Sequence, residues 1–158
     1  MRKAVWWGGG ALVLALIGMF VASLLNQPSD KQLILQALDE SIAASRAGRP
    51  GGVLEYLSRN LTWNGDEGVN RMEIADYIKR AKPEVTVMHR EVVIEGDTAT
   101  ITTPVNVKLS MLGQSMDETL DRVTITFAAE SGTKNLIIPV RKWRIIKVDV
   151  EGGFTPSY

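Results

Sequence analysis

The chain has no cysteine and a single histidine, His89. Without cysteine there is no disulfide framework, no thiolate metal site and no cysteine nucleophile. One histidine excludes an all-histidine metal centre and the His-Glu-x-x-His zinc motif, so no metal or cofactor is expected. A surplus of either charge is also missing, since eighteen basic residues balance eighteen acidic ones. Setting aside Arg2 and Lys3 leaves sixteen basic residues against eighteen acidic, which argues against a nucleic-acid partner. There is no glycine-rich phosphate loop, nucleophile elbow or paired-carboxylate motif. Charge is absent altogether from one stretch, Ala4 to Leu25.

That stretch of 22 residues would cover ~33 Å as a helix, close to the ~30 Å hydrocarbon core of a bilayer. Arg2 and Lys3 precede it, and Asp30 is the first charge after it. The expectation is a single-pass anchor with a cytoplasmic N-terminus and an exported remainder. Residues 1–28 then form the tip, anchor and joint, and 29–158 one domain of ordinary size. The rival is a signal peptide with secretion after cleavage. Signal cores run about 7–15 residues, shorter than this stretch, and Val21-Ala22-Ser23 is a poor cleavage site. Trp6 and Trp7 suit the interfacial layer at the cytoplasmic side.

Beyond the joint Asn26-Gln27-Pro28, Ser29-Asp30-Lys31-Gln32 reads as a capping box. Ile34, Leu35, Leu38 and Ile42 stripe the helix it opens, and Gly48 to Gly52 ends it. A short helix over 53–58 and a brief strand over 61–63 follow. Asn70 and Glu73 cap a third helix striped by Ile74, Tyr77, Ile78 and Ala81, which Pro83 stops. From Glu84 the period changes to two. Strands are expected over 84–95 and from Thr98 to Met111, with Ala99, Ile101, Val105, Val107, Leu109 and Met111 on one face. A further strand turns Val123, Ile125, Phe127 and Ala129 inward. A loop over 130–135 and a last strand over 136–150 complete the chain, with a bulge where the pattern slips at Ile145 and Ile146. Pro104 and Pro139 are expected at bulges, bends or unpaired edges.

Three helices and then long strands make an α+β fold. The order resembles the nuclear-transport-factor-2-like (cystatin-like cone) superfamily over about Ser29 to Val150. The resemblance rests on the first helix, Leu61-Thr62-Trp63-Asn64-Gly65, Asn70-Arg71-Met72-Glu73-Ile74, the hairpin Ile94 to Ala99, and Lys142-Trp143-Arg144-Ile145. It implies three helices packed on a strongly curved antiparallel sheet around an apolar conical pocket. It also implies that enzyme members, such as ketosteroid isomerases and polyketide cyclases, hold an acidic base inside that pocket. The inward positions of the two middle strands here carry no carboxylate.

His89 is the leading candidate for chemistry, because it shares its strand register with Val85 and Val87 and imidazole is the side chain best suited to acid–base work at neutral pH. Tyr77 is the second, as a hydrogen-bond donor from the third helix. Against catalysis stand a strand-edge histidine and a core tyrosine whose hydroxyl reaches water. Trp63, Tyr77, His89, Val107, Phe127 and Trp143 are the candidate pocket-lining residues. Asp66 and Glu67 suit a solvated loop better than a pocket mouth. Arg90, Arg122 and Arg144 are either a carboxylate clamp or a set of cross-strand ion pairs. The reading is a membrane-anchored, extracytoplasmic binding or interaction module, such as an accessory subunit of an envelope complex. Its partners would be an envelope protein or a second copy through the sheet face. The alternatives are a cyclase-type or isomerase-type enzyme and a carrier of a small apolar ligand.

Overall fold

The computed structural model describes residues 5–134 and 138–152, with the backbone alone for 5–12, 23–24, 132–134 and 138–140. Helix α1, Val5–Leu25, is followed by a short joint. Its described side chains, 13–22 and 25, are all exposed and touch no core. Among the described residues no helix is long and apolar enough to cross a membrane.

Ser29 then caps α2, Asp30–Arg46, through a reciprocal capping box. The Ser29 hydroxyl accepts from the Gln32 amide at 3.3 Å, and Gln32 Oε1 accepts from the Ser29 amide at 2.9 Å. Ile34, Ala37, Leu38, Ser41, Ala44 and Ser45 of α2 are buried, and Leu35 and Ile42 pack half-buried against the core. Helix α3, Pro50–Leu54, starts three residues ahead of the expected 53–58. The glycine-proline run that ends one helix also opens the next, since proline at the first helical position needs no N–H partner. Gly52 lets α3 lie on α2: a Cβ there would sit 2.7 Å from the Ala44 Cβ.

Strand β1, Leu57–Trp63, is longer than the expected 61–63. Asn70 caps α4, Arg71–Ala81, by accepting from the Met72 amide at 2.9 Å. The helix stops at Lys82, left-handed with φ 43°, just before Pro83. Strands β2 (Glu84–Val87), β3 (Val93–Glu95), β4 (Thr98–Met111), β5 (Gln114–Lys134) and β6 (Ile138–Glu151) complete the sheet. The order is β1-β6-β5-β4-β2, with β3 also paired to β4.

Four expectations need correction. The sheet is mixed, not antiparallel throughout, because β1 runs parallel to β6. It is also open, with edges at β1 and β2, and does not curl into the expected cone. The expected strand over 84–95 is two strands, with a break over 88–92. Opposite the break, Pro104 offers a carbonyl but no N–H, so the Met88 amide bonds to Pro104 O at 3.1 Å and the ladder ends. The expected loop over 130–135 is strand as far as Lys134, with Asn135 outside the described residues. Its serine, glycine and threonine stay extended because β6 pairs with each of them.

The Pro104 and pattern-slip expectations hold, whereas Pro139 stands opposite Thr133 in the β5–β6 ladder with no register shift beside it. Pro104 sits where two residues of β5, Asp121 and Arg122, oppose one of β4. That bulge turns both Leu120 and Val123 toward the helices. The β5–β6 register shifts between Thr126 and Phe127, leaving Ile146 as the extra residue. Inside lie Trp143, Phe127, Ile34 and Ile101, each 1% exposed or less.

Candidate functional site

A cavity of about 220 Å³ lies between the helices and the sheet. Leu38, Ser41, Ile42 and Ser45 of α2 form one wall, with Val53 of α3 beside them. Val105, Val107, Leu120, Val123 and Ile125 form the opposite wall, and Ile145, Val148 and Val150 of β6 line one side. Trp63, 44% exposed, marks the mouth. The period-two pattern of β4 and β5 builds the sheet wall, and the Pro104 bulge adds Leu120 to it.

No titratable side chain lines this cavity among the described residues. Its two hydroxyls are already engaged: Ser41 Oγ donates to Leu38 O at 2.8 Å, and Ser45 Oγ to Pro83 O at 2.9 Å. Each could still accept one bond through a lone pair. The volume is below the ~300–1,000 Å³ of drug-sized sites. It exceeds the ~150 Å³ apolar cavity that takes up benzene. What fits is a hydrocarbon ring or short chain.

The predicted lining residues divide. Trp63 and Val107 face the cavity, whereas Tyr77, His89, Phe127 and Trp143 do not. Phe127 and Trp143 are fully buried packing instead. The Trp143 indole N–H donates to Asp30 Oδ1 at 3.0 Å, and the Arg141 guanidinium stands 5.3 Å from its ring centre. Tyr77 is 45% exposed beside Glu73, Asp76, Arg80 and Met111, with its hydroxyl pKa raised by burial. His89 was expected mid-strand on an apolar face. It lies in the break after β2, exposed, and its amide donates to Thr103 Oγ1 at 2.8 Å. Met111, expected inward, is 44% exposed near the end of β4.

The three arginines are dispersed and form no clamp. Arg90 pairs with Asp39 at 2.5 Å, Arg122 with Glu151 at 3.5 Å, and Arg144 with Glu130 at 2.7 Å. The last two bridge neighbouring strands, as the commoner arrangement predicts. Asp66 accepts from the Gly68 amide at 2.9 Å and, like Glu67, is exposed.

Two polar clusters escaped the sequence reading. Arg71 holds the carbonyls of Leu54, Leu57 and Ser58 at 2.9–3.2 Å, tying the end of α3 and the start of β1 to α4. Its charge gave no signal of this, because the carbonyls it serves are set by chain geometry. The Tyr56 hydroxyl donates to Glu40, which also accepts from Gln36 Nε2 at 2.7 Å. Burial and the adjacent Glu40 push the tyrosine pKa far up, while the hydrogen bonds from Tyr56 and Gln36 hold Glu40 below the usual carboxylate range. No group of three or more metal-ligating side chains occurs among the described residues.

No family model and no curated protein matches this chain. Solved structures do. A putative calcium/calmodulin dependent protein kinase II association domain from Xanthomonas campestris matches with TM-score 0.58 at 18% identity, over 80% of this chain and 91% of that one. An NTF2-like protein from Cytophaga hutchinsonii matches with TM-score 0.58 at 16% identity, over 77% and 97%. An NTF2-like protein with a cystatin-like fold from Novosphingobium aromaticivorans matches with TM-score 0.55 at 17% identity, over 85% and 90%. The chain therefore has the fold of NTF2-like proteins.

Proposed function

We propose that this protein is a membrane-tethered binding module whose cavity takes up a small apolar group. The observation that carries the reading is the cavity wall: aliphatic side chains, one indole, and two hydroxyls already bonded. General acid–base chemistry needs a titratable group within hydrogen-bond reach of the substrate. The wall supplies none, which favours binding over turnover. The tether rests on the uncharged stretch Ala4 to Leu25, on Arg2 and Lys3 before it, and on the exposed side chains of α1. This layout suits an accessory subunit of an envelope complex. Use of the fold in association, named for the Xanthomonas campestris protein, is in keeping with that.

The buried core begins at Ile34, so residues 29–158 should fold without α1. Naphthalene titrated into that domain should change Trp63 emission saturably, and Val107→Phe, which narrows the cavity, should abolish the response. A response that never saturates, or that survives Val107→Phe unchanged, would remove the apolar-ligand reading.

A further inference from the structure

The β4–β5 hairpin runs on past the strands beside it. Leu112 and Gly113, with φ 53° and 80°, make its two-residue turn, and the register is unbroken from Met111↔Gln114 to Val105↔Leu120. Strand β6 reaches β5 only at Arg122↔Glu151. Among the described residues no strand lies on the far side of residues 114–121. A two-residue turn closes on a hydrogen-bonded pair, and such pairs alternate along an antiparallel ladder. Gln114, Met116, Glu118 and Leu120 therefore direct their amides and carbonyls to β4. Ser115, Asp117 and Thr119 direct theirs outward, and all three residues are exposed.

An open edge of this kind is a template for another strand. Its side chains state which strand fits. Asp117, Glu118 and Asp121 stand along it. Lys108 of β4 pairs with Asp117 at 3.5 Å, and Arg122 pairs with Glu151, so Glu118 and Asp121 have no ion-pair partner among the described residues. A second copy docking edge to edge would set these acids against their own kind, which destabilises cross-strand pairs. A strand bearing lysine or arginine gains where that copy loses. On the cavity side the edge offers Met116 and Leu120, both half-buried, so alternate residues of the incoming strand should be apolar.

We propose that the open edge of β5 is a docking site for an extended basic segment of another protein, joined by strand addition at Ser115, Asp117 and Thr119. Neither the tether nor the apolar ligand is needed for it.

The probe is a capped peptide alternating lysine and valine, added to the full-length chain in detergent micelles. Amide hydrogen exchange, read residue by residue by NMR, should find Ser115, Asp117 and Thr119 exchanging fast in the free protein and protected once the peptide is bound. A glutamate–valine peptide should give no protection, and neither should the lysine–valine peptide with every amide N-methylated. Glu118→Lys combined with Asp121→Lys should likewise lose the protection. Protection that survives any of these changes, or peptide binding that leaves the three amides unprotected, would overturn strand addition. Protection already present in the free protein would overturn it too. If that protection vanishes on deletion of residues 153–158, the edge belongs to the chain's own end; if it grows with protein concentration, it belongs to a second copy.

Discussion

Trp143 and His89 differ most between what their chemistry offers and what their position uses. Trp143 is 1% exposed, packs against the core and fixes Asp30 through its indole N–H. Trp143→Ala should destabilise the domain by about 3–5 kcal/mol, as cavity-forming aromatic truncations do. Among the described residues His89 contributes its backbone amide to the fold and its side chain is exposed, so His89→Ala should leave the thermal midpoint nearly unchanged. Paired thermal melts check both. A His89 variant that folds normally yet loses all biological function would return the enzyme reading to the front. Tyr56 and Glu40 give a pH dependence of known sign. The Glu40 pKa is lowered in the folded state, so its contribution is present above about pH 5 and fades as pH falls through the folded value. The Tyr56 pKa is raised, so its contribution is present below about pH 10 and is lost above it. Tyr56→Phe should therefore lower stability by a steady amount between about pH 6 and 9 and by less toward pH 3, measured as denaturation midpoints across pH.

Among the elements, local signals were legible and long-range ones were not. The Ser29 capping box and the Asn70 cap were readable because each is complete within four residues. The Pro104 irregularity and the Ile145–Ile146 slip were readable because strand periodicity is a property of one segment. The break at His89 was not. It depends on Pro104 and on the Thr103 hydroxyl, fourteen residues along the chain from His89. The parallel β1–β6 pair was equally hidden, since nothing in either segment records the direction of its neighbour. At the site, the apolar β4 and β5 faces were legible, but only Trp63 and Val107 of the six expected lining residues face the cavity. Which inward side chain packs and which borders a void is decided by the helices above it. The α2–α3 contact offers its own test. Gly52→Ala would place a Cβ 2.7 Å from the Ala44 Cβ, so α3 must shift. The expected cost is about 1–3 kcal/mol, in the range of overpacked cores. Combining Gly52→Ala with Ala44→Gly should restore part of the loss in urea denaturation.

For the whole molecule, the start of α2 is tied to the sheet by the Arg141–Asp30 pair and the Trp143 bond to Asp30. The cavity lies between α2 and the sheet and opens at Trp63. In the proposed function, the stretch Ala4 to Leu25 would hold the protein at a membrane and the cavity would take up an apolar group. The cavity is the central claim, and methyl-resolved NMR of the isolated 29–158 domain tests it most directly. On titration with naphthalene, shifts should concentrate on Ile42, Val53, Val85, Val107 and Leu120. Leu112, the exposed apolar tip far from the cavity, should stay still. Shifts scattered over Leu112 and other exposed methyls, with the cavity set unmoved, would contradict the account.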